Sequence, residues 1–418
     1  DHRDLHSFPT RRSSDLAALL LSVCPAHGQD CIPCHQKNTP SIVSDWKLSK
    51  HRQKEIGCSH CHGAEHQSPQ DIANAKIPTA ETCGRCHEER VKQFRAGKHA
   101  AAWSAMKSMP TFHWQPMALR EGMKGCGGCH KIGLKSEEEL KDLRKEGAGF
   151  GSASCDACHT RHTFSVKEAV QPEACQTCHM GFDHPHWEMY SSSKHGVRFS
   201  LKQKGILPES AAAPSCQTCH MVEGHHGVMT GWGFLAVRLP MPEDKEWAEA
   251  RTTILKALGV LDPEGKPTPR LEAAKSINLV RLTQEAWEKE RDKMVKTCAT
   301  CHSLSFARGE LEKGDKMIRE ADLLMAEAVS LVAGLYKEGL LKKPKSYAYP
   351  FPDLLSFHDS PTLIEQKLYL MFMEQRMRTF QGAFHANPDY TLWYGWSAMK
   401  TSLLEIKTMA EEMRKAKK

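Results

Sequence analysis

The segment CDACHTRHTFSVKEAVQPEACQTCH, residues 155–179, contains two copies of the pentapeptide Cys-x-x-Cys-His, which occurs eight times in this 418-residue chain. The copies use sixteen of the seventeen cysteines. This pentapeptide is the attachment signature for c-type haem, in which two thiols bond to the porphyrin and the histidine binds the iron. Numbered 1 to 8 along the chain, the motifs comprise Cys31, Cys34, His35; Cys58, Cys61, His62; Cys83, Cys86, His87; Cys126, Cys129, His130; Cys155, Cys158, His159; Cys175, Cys178, His179; Cys216, Cys219, His220; and Cys298, Cys301, His302.

Two other classes of site use paired cysteines at this spacing. Cys-x-x-Cys units build tetrahedral zinc sites, and cysteine-rich chains form disulfide frameworks. Neither class explains a histidine directly after each of the eight pairs. The sequence therefore predicts eight c-type haems, each with the motif histidine as the proximal iron ligand.

Charge and composition narrow the class of protein further. The formal net charge is +7, but each bound haem adds two propionates, so a nucleic-acid-binding surface is not expected. Hydrophobic residues make up 40% of the chain and aromatic residues 7%, which fits an interior that is partly cofactor. Because no β-type alternation is sustained, the predicted fold is mainly α. We expect a multihaem cytochrome c with short helices and loops around eight haems, followed by long C-terminal helices.

The texture of the sequence predicts a division into regions. Residues 30–240 form a haem-rich region with motifs 1 to 7, and residues 241–418 a helical region with motif 8 and C-terminal oligomerisation helices. Residues 1–16 are interpreted as a sequencing-adapter artefact, and residues 17–29 as the remnant of a signal peptide. Cys24 then belongs to the leader. A lipoprotein cysteine is the alternative, although Pro25 directly after it argues against this.

The chemistry of the cofactor also bears on localisation. Since c-type haem is attached outside the cytoplasm, we expect a periplasmic or otherwise exported protein. Beyond the leader, no run approaches the roughly 20 apolar residues of a membrane span, so the mature protein is expected to be soluble.

Two C-terminal stretches have helical periodicity. One face of the stretch at residues 313–336 carries Met317, Ala321, Leu324, Ala328, Leu331 and Leu335. The final stretch has the three-four spacing of a coiled-coil seam at Trp396, Met399, Leu403, Ile406, Ala410 and Met413. This seam forms either an intermolecular contact, which would make the protein an oligomer, or a helix packed on its own subunit.

Histidines outside the motifs supply candidate distal ligands. A haem iron with two histidines is saturated and transfers electrons only, whereas a haem without a distal ligand has an open position for substrate. Thirteen histidines remain after the leader and the proximal ligands are removed, enough for seven haems and a pocket. The favoured distal candidates are His51, His66, His99, His184, His186, His195, His225 and His226, and the others are His60, His113, His162, His358 and His385.

Several strings around the motifs resemble the octahaem hydroxylamine oxidoreductase family. They are CDACHTRHTFS (155–165), PEACQTCHMGFDHPHWEMYSSSKHG (172–196), TGWGFLAVRLPMPED (230–244) and FHANPDYTLWYGW (384–396). The resemblance implies a mostly helical homotrimer with seven electron-transfer haems and one catalytic haem on the fourth motif. It also implies a pocket histidine at His162, with Arg161 where hydroxylamine-oxidising members commonly have aspartate.

Oxidising members of this family cross-link a tyrosine of a neighbouring subunit to the catalytic porphyrin, and reductive relatives lack the bond. Tyr390 and Tyr394 lie in the expected region. A buried or interface aromatic role is the alternative for both residues. The resemblance does not fix the direction of catalysis.

The predicted function is oxidation of hydroxylamine, or reduction of nitrite or hydroxylamine, at one open haem. His162 would move protons and Arg161 would hold an anion, which favours nitrite. A cytochrome or quinone-linked protein would be the redox partner. The alternative is a non-catalytic electron conduit in which every iron has two histidines. A reductase of the tetrathionate or pentahaem nitrite type is less favoured, because no motif has lysine in place of histidine.

Overall fold

The computed structural model describes residues 31–109, 112, 125–145, 154–181, 183–229, 237–276, 280–356 and 360–417. These residues form helices and loops without a β-strand, which confirms the predicted mainly α fold. The interpretations of residues 1–29, His113 and His358, and much of the string at 230–244, fall outside the described ranges.

The helices are short in the first half of the chain and longer in the second. The α-helices are Cys31–Asn38, Pro40–Leu48, Lys50–Gln53, Ser59–His62, Ala80–Ala96, Lys98–Ser108, Cys126–His130, Glu137–Lys145, Val166–Ala169, Glu173–Gln176, His186–Ser191, Lys194–Gln203, Cys216–His220, Lys245–Ala257, Pro269–Ser276, Gln284–Cys298, Leu304–Lys337, Leu363–Leu370, Met377–Phe384, Pro388–Thr391 and Ala398–Ala416. Turns of 3₁₀-helix lie at Pro69–Asn74, Cys155–Ala157 and Val222–Gly224, and π-helical turns at Met371–Arg376 and Leu392–Ser397.

The haem motifs lie on, or at the end of, helical turns. Motif 4 is the helix Cys126–His130, and motif 7 is the helix Cys216–His220, which begins at the N-cap Ser215. Residues three apart share one face of a helix, so both thiols of a motif point to the same side. This local geometry suits attachment of two thiols to one flat porphyrin.

The hydrophobic core of the described chain is centred on the long helix Leu304–Lys337, which packs against Lys245–Ala257 and Ala398–Ala416. Its N-terminus is capped by Ser303, whose side chain accepts a hydrogen bond from the Phe306 N–H. The fully buried face includes Ile318, Ala321, Met325, Ala328, Val329, Val332 and Leu335. The predicted helix is therefore present, with its buried face broader than the periodic stripe. The boundary near residue 240 stays a prediction.

The C-terminal helix Ala398–Ala416 packs within its own subunit. Four residues of the predicted seam, Met399, Leu403, Ile406 and Ala410, are buried in the core beside the long helix. Of the two interpretations, an intermolecular contact or a helix packed on its own subunit, the second agrees with the structure, because the chain's own helices cover this stripe. The three-four spacing arose from packing against a neighbouring helix, which requires the same apolar stripe as a coiled coil.

A buried ion cluster joins three elements of this core. The Asp322 carboxylate accepts hydrogen bonds from Trp247 Nε1 at 2.8 Å, Arg251 Nε at 2.8 Å and Arg376 Nε at 2.9 Å. Asp322 and both arginines are almost completely buried. Although burial alone raises the pKa of Asp322, the charges of Arg251 and Arg376 lower it below its usual value. The cluster ties Lys245–Ala257, the long helix and the turn Met371–Arg376 together.

No helix among the described residues has the length and apolar character needed to cross a membrane.

Candidate functional site

Seven of the eight motif histidines have the ring of a second histidine close by. Metal–imidazole nitrogen bonds are about 2 Å long, so two rings on opposite sides of one metal have centres about 6 Å apart. The observed pairs and their centre-to-centre distances are His35 with His66 at 6.1 Å, His62 with His162 at 6.2 Å, His87 with His51 at 6.2 Å, His159 with His226 at 6.2 Å, His179 with His99 at 6.0 Å, His220 with His385 at 6.4 Å, and His302 with His195 at 6.2 Å.

Hydrogen bonds orient several of these rings for iron ligation. Nδ1 of His35 lies 2.8 Å from Thr39 Oγ1, Nδ1 of His62 lies 3.1 Å from the Lys76 carbonyl oxygen, and Nδ1 of His385 lies 2.8 Å from the Gln381 carbonyl oxygen. A partner on Nδ1 leaves Nε2 for the metal and fixes the plane of the ring. Within the described chain, no group of three or more His, Cys, Asp or Glu side chains suits a metal. The spacing of the paired rings fits two axial imidazoles on an iron whose other ligands come from a porphyrin.

Motif 4 differs from the other seven. Within the described ranges, no histidine ring is paired with His130 at this distance. His130 hydrogen-bonds to the backbone of Ala102, and the charged groups that act on it are Asp183 and His184. Among the described residues, His130 is thus the one motif histidine without a second histidine ring opposite it.

Asp183 and His184 form a hydrogen-bonded pair beside this motif. The His184 Nδ1 is bonded to the Asp183 carboxylate, and the His184 Nε2 lies 2.8 Å from the Cys178 carbonyl oxygen. Burial lowers the pKa of His184, but Asp183 and the Cys178 carbonyl together raise it above its ordinary value. Since both ring nitrogens already have protein partners, His184 is held beside the fourth site without being available as an iron ligand.

The C-terminal helices complete the surroundings of Asp183. Gln381, on Met377–Phe384, donates from Nε2 to the Asp183 carbonyl oxygen at 3.2 Å. Tyr369, on Leu363–Leu370, is buried, and its pKa is raised by burial and by the charges of Asp183 and Glu374. The fourth site is thus built from both halves of the chain.

Comparisons with known proteins agree with the haem geometry. A family model described as seven times multi-haem cytochrome CxxCH matches residues 148–255 and 272–348, and one described as cytochrome c554 and c-prime matches residues 82–160. A probable nitrite reductase-hydroxylamine oxidoreductase fusion protein of Kuenenia stuttgartiensis is 28% identical over 93% of this chain and 52% of its own length. The chain thus spans about half the length of this relative.

Solved structures extend the similarity to the fold. The reducing HAO-like protein complex of Kuenenia stuttgartiensis is similar with a TM-score of 0.69 and 25% identity, covering 92% of this chain and 85% of that one. These matches support a multihaem c-type cytochrome that is similar to hydroxylamine oxidoreductase-like proteins. A hypothetical multiheme protein shares the fold of this cytochrome at a TM-score of 0.67 and 21% identity, over 95% and 98% of the two chains.

Motif thiols show which haem sites of this cytochrome are neighbours. Thiols of one motif lie beside those of another for motifs 1 and 2, 2 and 3, 3 and 5, 5 and 6, 6 and 7, and 7 and 8. Motif 4 meets the series at motif 6, where Cys129 hydrogen-bonds to Cys178. The sites therefore form one continuous line, with motif 4 as a branch at motif 6.

The predicted distal ligands divide into two groups. His51, His66, His99, His195 and His226 lie opposite motif histidines, as do His162 and His385, which were not among the favoured candidates. His184 and His186 lie near His179, with ring centres 6.2 and 5.2 Å away, but both ring nitrogens of His184 have other protein partners and Nδ1 of His186 faces Nδ1 of His179. His225 is not paired with a motif histidine. His225 Nδ1 accepts a hydrogen bond from the Gly227 N–H, and His60 Nδ1 accepts one from the Gly57 N–H.

The predicted catalytic residues His162 and Arg161 have partners other than motif 4. His162 lies opposite His62 of motif 2, which conflicts with its predicted role beside motif 4. Arg161 is paired with Asp156 across 3.7 Å, so its predicted role as an anion holder at motif 4 also lacks support. The sequence signal that could have pointed to Asp183 and His184 as site residues is the Asp-His dipeptide in FDHPHW, which follows motif 6 closely.

Tyr390 and Tyr394 lie against each other near the C-terminus. Their ring centres are 5.2 Å apart. The pKa of Tyr390 is raised by burial and by the nearby Glu188 carboxylate. Tyr394 is 54% exposed, as is much of the neighbouring Trp393. The pair thus has one ring turned into the chain and one at its surface.

Proposed function

We propose that this cytochrome carries eight c-type haems and reduces a small nitrogen compound, hydroxylamine or nitrite, at the haem of motif 4. The observation that carries the proposal is the contrast between seven histidine pairs and His130, which has no histidine opposite it in the described chain. The seven paired sites are suited to electron transfer, because two imidazoles saturate the iron.

When bound, the fourth haem supplies an iron with one open coordination position. The protein's own contribution would be Asp183 and His184, which are hydrogen-bonded to each other near His130 and would hold a proton between the carboxylate and Nδ1. Reduction of hydroxylamine to ammonia and water takes up two electrons and two protons, so a proton-holding pair at the site is required. We assign to this pair the role that the sequence had suggested for His162 and Arg161.

The direction of catalysis is proposed from the relatives. The similar solved complex is described as reducing, and the curated relative as a probable nitrite reductase-hydroxylamine oxidoreductase fusion. The line of neighbouring motifs supports a route on which an external cytochrome or quinone-linked protein delivers electrons that reach motif 4 through motif 6. The protein is proposed to be exported to the periplasm, where c-type haem is attached.

A homotrimer is proposed as the assembly. The exposed rings of Trp393 and Tyr394, on the turn Leu392–Ser397, would lie in a subunit contact, where aromatic residues are favoured. For a reductase, we expect Tyr390 and Tyr394 to remain unlinked to porphyrin. Mass spectrometry of haem peptides from the intact oligomer tests this expectation.

The haem count and the open site are tested on the purified holoprotein. The intact mass should show eight haems, and the ferric paramagnetic spectrum should contain a high-spin signal equivalent to one haem in eight. A spectrum with only low-spin haems would instead favour the non-catalytic electron conduit.

The role of the Asp183–His184 pair is tested by substitution. Asp183→Asn should lower turnover of hydroxylamine or nitrite by about 10²–10⁴-fold, the usual contribution of a positioned proton donor. It should leave the haem count and the high-spin signal unchanged. His60→Ala is the matched control, since the His60 side chain accepts a hydrogen bond from Gly57 N–H within its own loop. Unchanged turnover in Asp183→Asn would contradict the assignment.

A further inference from the structure

His186 contacts iron ligands without being one of them. Its Nδ1 lies 3.2 Å from Nδ1 of His179, the motif histidine of site 6. The His186 ring centre is also 5.5 Å from that of His385, the histidine opposite motif 7. His186 begins the short helix His186–Ser191, which fixes its position between two adjacent haem sites.

This contact differs from those of other ligand histidines. Nδ1 of His62 and Nδ1 of His385 face backbone carbonyl oxygens, and His130 is also bonded to the backbone, at Ala102. His179 instead faces the nitrogen of another imidazole. The hydrogen-bond partner of His179 is therefore an imidazole nitrogen, whereas the partners of His62 and His385 are carbonyl oxygens.

The hydrogen atoms of this contact follow from the ligation. With Nε2 of His179 on the iron, its Nδ1 keeps a hydrogen and donates it. His186 Nδ1 must then accept, so the second ring is neutral and carries its hydrogen on Nε2. An imidazole nitrogen is a stronger base than a peptide oxygen, and an acceptor on the outer nitrogen of a ligand imidazole raises the basicity of that ligand.

We infer that His186 is a positioning residue that lowers the reduction potential of the haem at site 6. A more basic axial ligand donates more electron density and favours ferric over ferrous iron. Site 6 adjoins sites 4, 5 and 7, so its potential sets how electrons divide between the line of sites and the branch to motif 4. The inference rests on the proposed two-histidine ligation of site 6, but not on any catalytic step.

The test compares two substitutions in the purified holoprotein by spectroelectrochemical titration. His186→Asn keeps an acceptor, a carbonyl oxygen, near the position of Nδ1, whereas His186→Leu has none. The Leu variant should raise the potential of one low-spin haem by about 59 mV, a tenfold change in a one-electron equilibrium. The Asn variant should raise the same potential by less. His225→Leu is the control, since His225 is not paired with a motif histidine.

Each outcome bears on the inference. An unshifted potential in the Leu variant, or equal shifts in both variants, would overturn it. If His186→Leu loses haem, the test is the comparison of wild type with His186→Asn. Identical potentials of site 6 in these two proteins would also overturn the inference. The high-spin signal of motif 4 is read from the same samples. Its absence would refute the proposed catalytic site while leaving the effect of His186 on site 6 intact.

Discussion

Replacing His162 by alanine distinguishes its position opposite His62 of motif 2 from its expected role beside motif 4. His162 lies 6.2 Å, centre to centre, from His62, which is the distance for two imidazoles on one iron. The substitution should therefore open the distal position at motif 2. The role that the family resemblance implies for His162 predicts instead a loss of proton transfer at motif 4 with every haem left unchanged.

The magnitude follows from the number of paired sites. Seven motif histidines have a partner and His130 has none in the described residues, so the wild type should have one high-spin haem. In His162→Ala two haems should be high-spin, which doubles that signal and lowers the low-spin signal by a seventh. Turnover with a small-molecule electron donor should persist, because Asp183 and His184 are untouched.

The assay is quantitative paramagnetic resonance of the ferric holoprotein, calibrated by haem content. His225→Ala serves as the control and should keep the wild-type spectrum, since His225 bonds to the Gly227 N–H. A His162→Ala protein with an unchanged high-spin signal and abolished turnover would refute the ligand assignment and restore the role expected from the sequence.

Two further predictions concern the helical core. Asp322→Asn leaves the buried charges of Arg251 and Arg376 unbalanced and should lower the free energy of unfolding by about 3–5 kcal/mol, measured by denaturant titration followed by circular dichroism. The pKa of Asp322 is lower in the folded than in the unfolded protein. Its carboxylate therefore stabilises the folded wild type at pH values above the unfolded pKa, and this stabilisation is lost as the pH falls through the folded pKa. If wild type and Asp322→Asn lost stability equally in acid, this reasoning would be contradicted. Ile406→Ala should lower the free energy of unfolding by about 2–5 kcal/mol and leave the oligomeric mass measured by light scattering unchanged. As the control, Leu404→Ala should lower the free energy of unfolding little, since Leu404 is exposed. Dissociation of the Ile406→Ala oligomer would contradict burial of Ile406 within the subunit.

Local features of the chain were predictable from sequence. The pentapeptides predict the haem sites and the proximal ligands, because each places two thiols and an imidazole within five residues, as attachment of one porphyrin requires. The mainly α class and the helix within residues 313–336 also follow from local periodicity. The apolar stripe of the last helix could also be read from the sequence, but the sequence did not show that the long helix Leu304–Lys337 packs against it.

The sequence alone indicated a multihaem c-type cytochrome and predicted where each haem is attached. Only the tertiary structure decided that His162 faces motif 2, that His385 faces motif 7, and that Asp183 and His184 face motif 4. The physical reason is that proximal ligands are set by covalent spacing along the chain. Distal ligands are set by packing between distant segments, which no local spacing encodes.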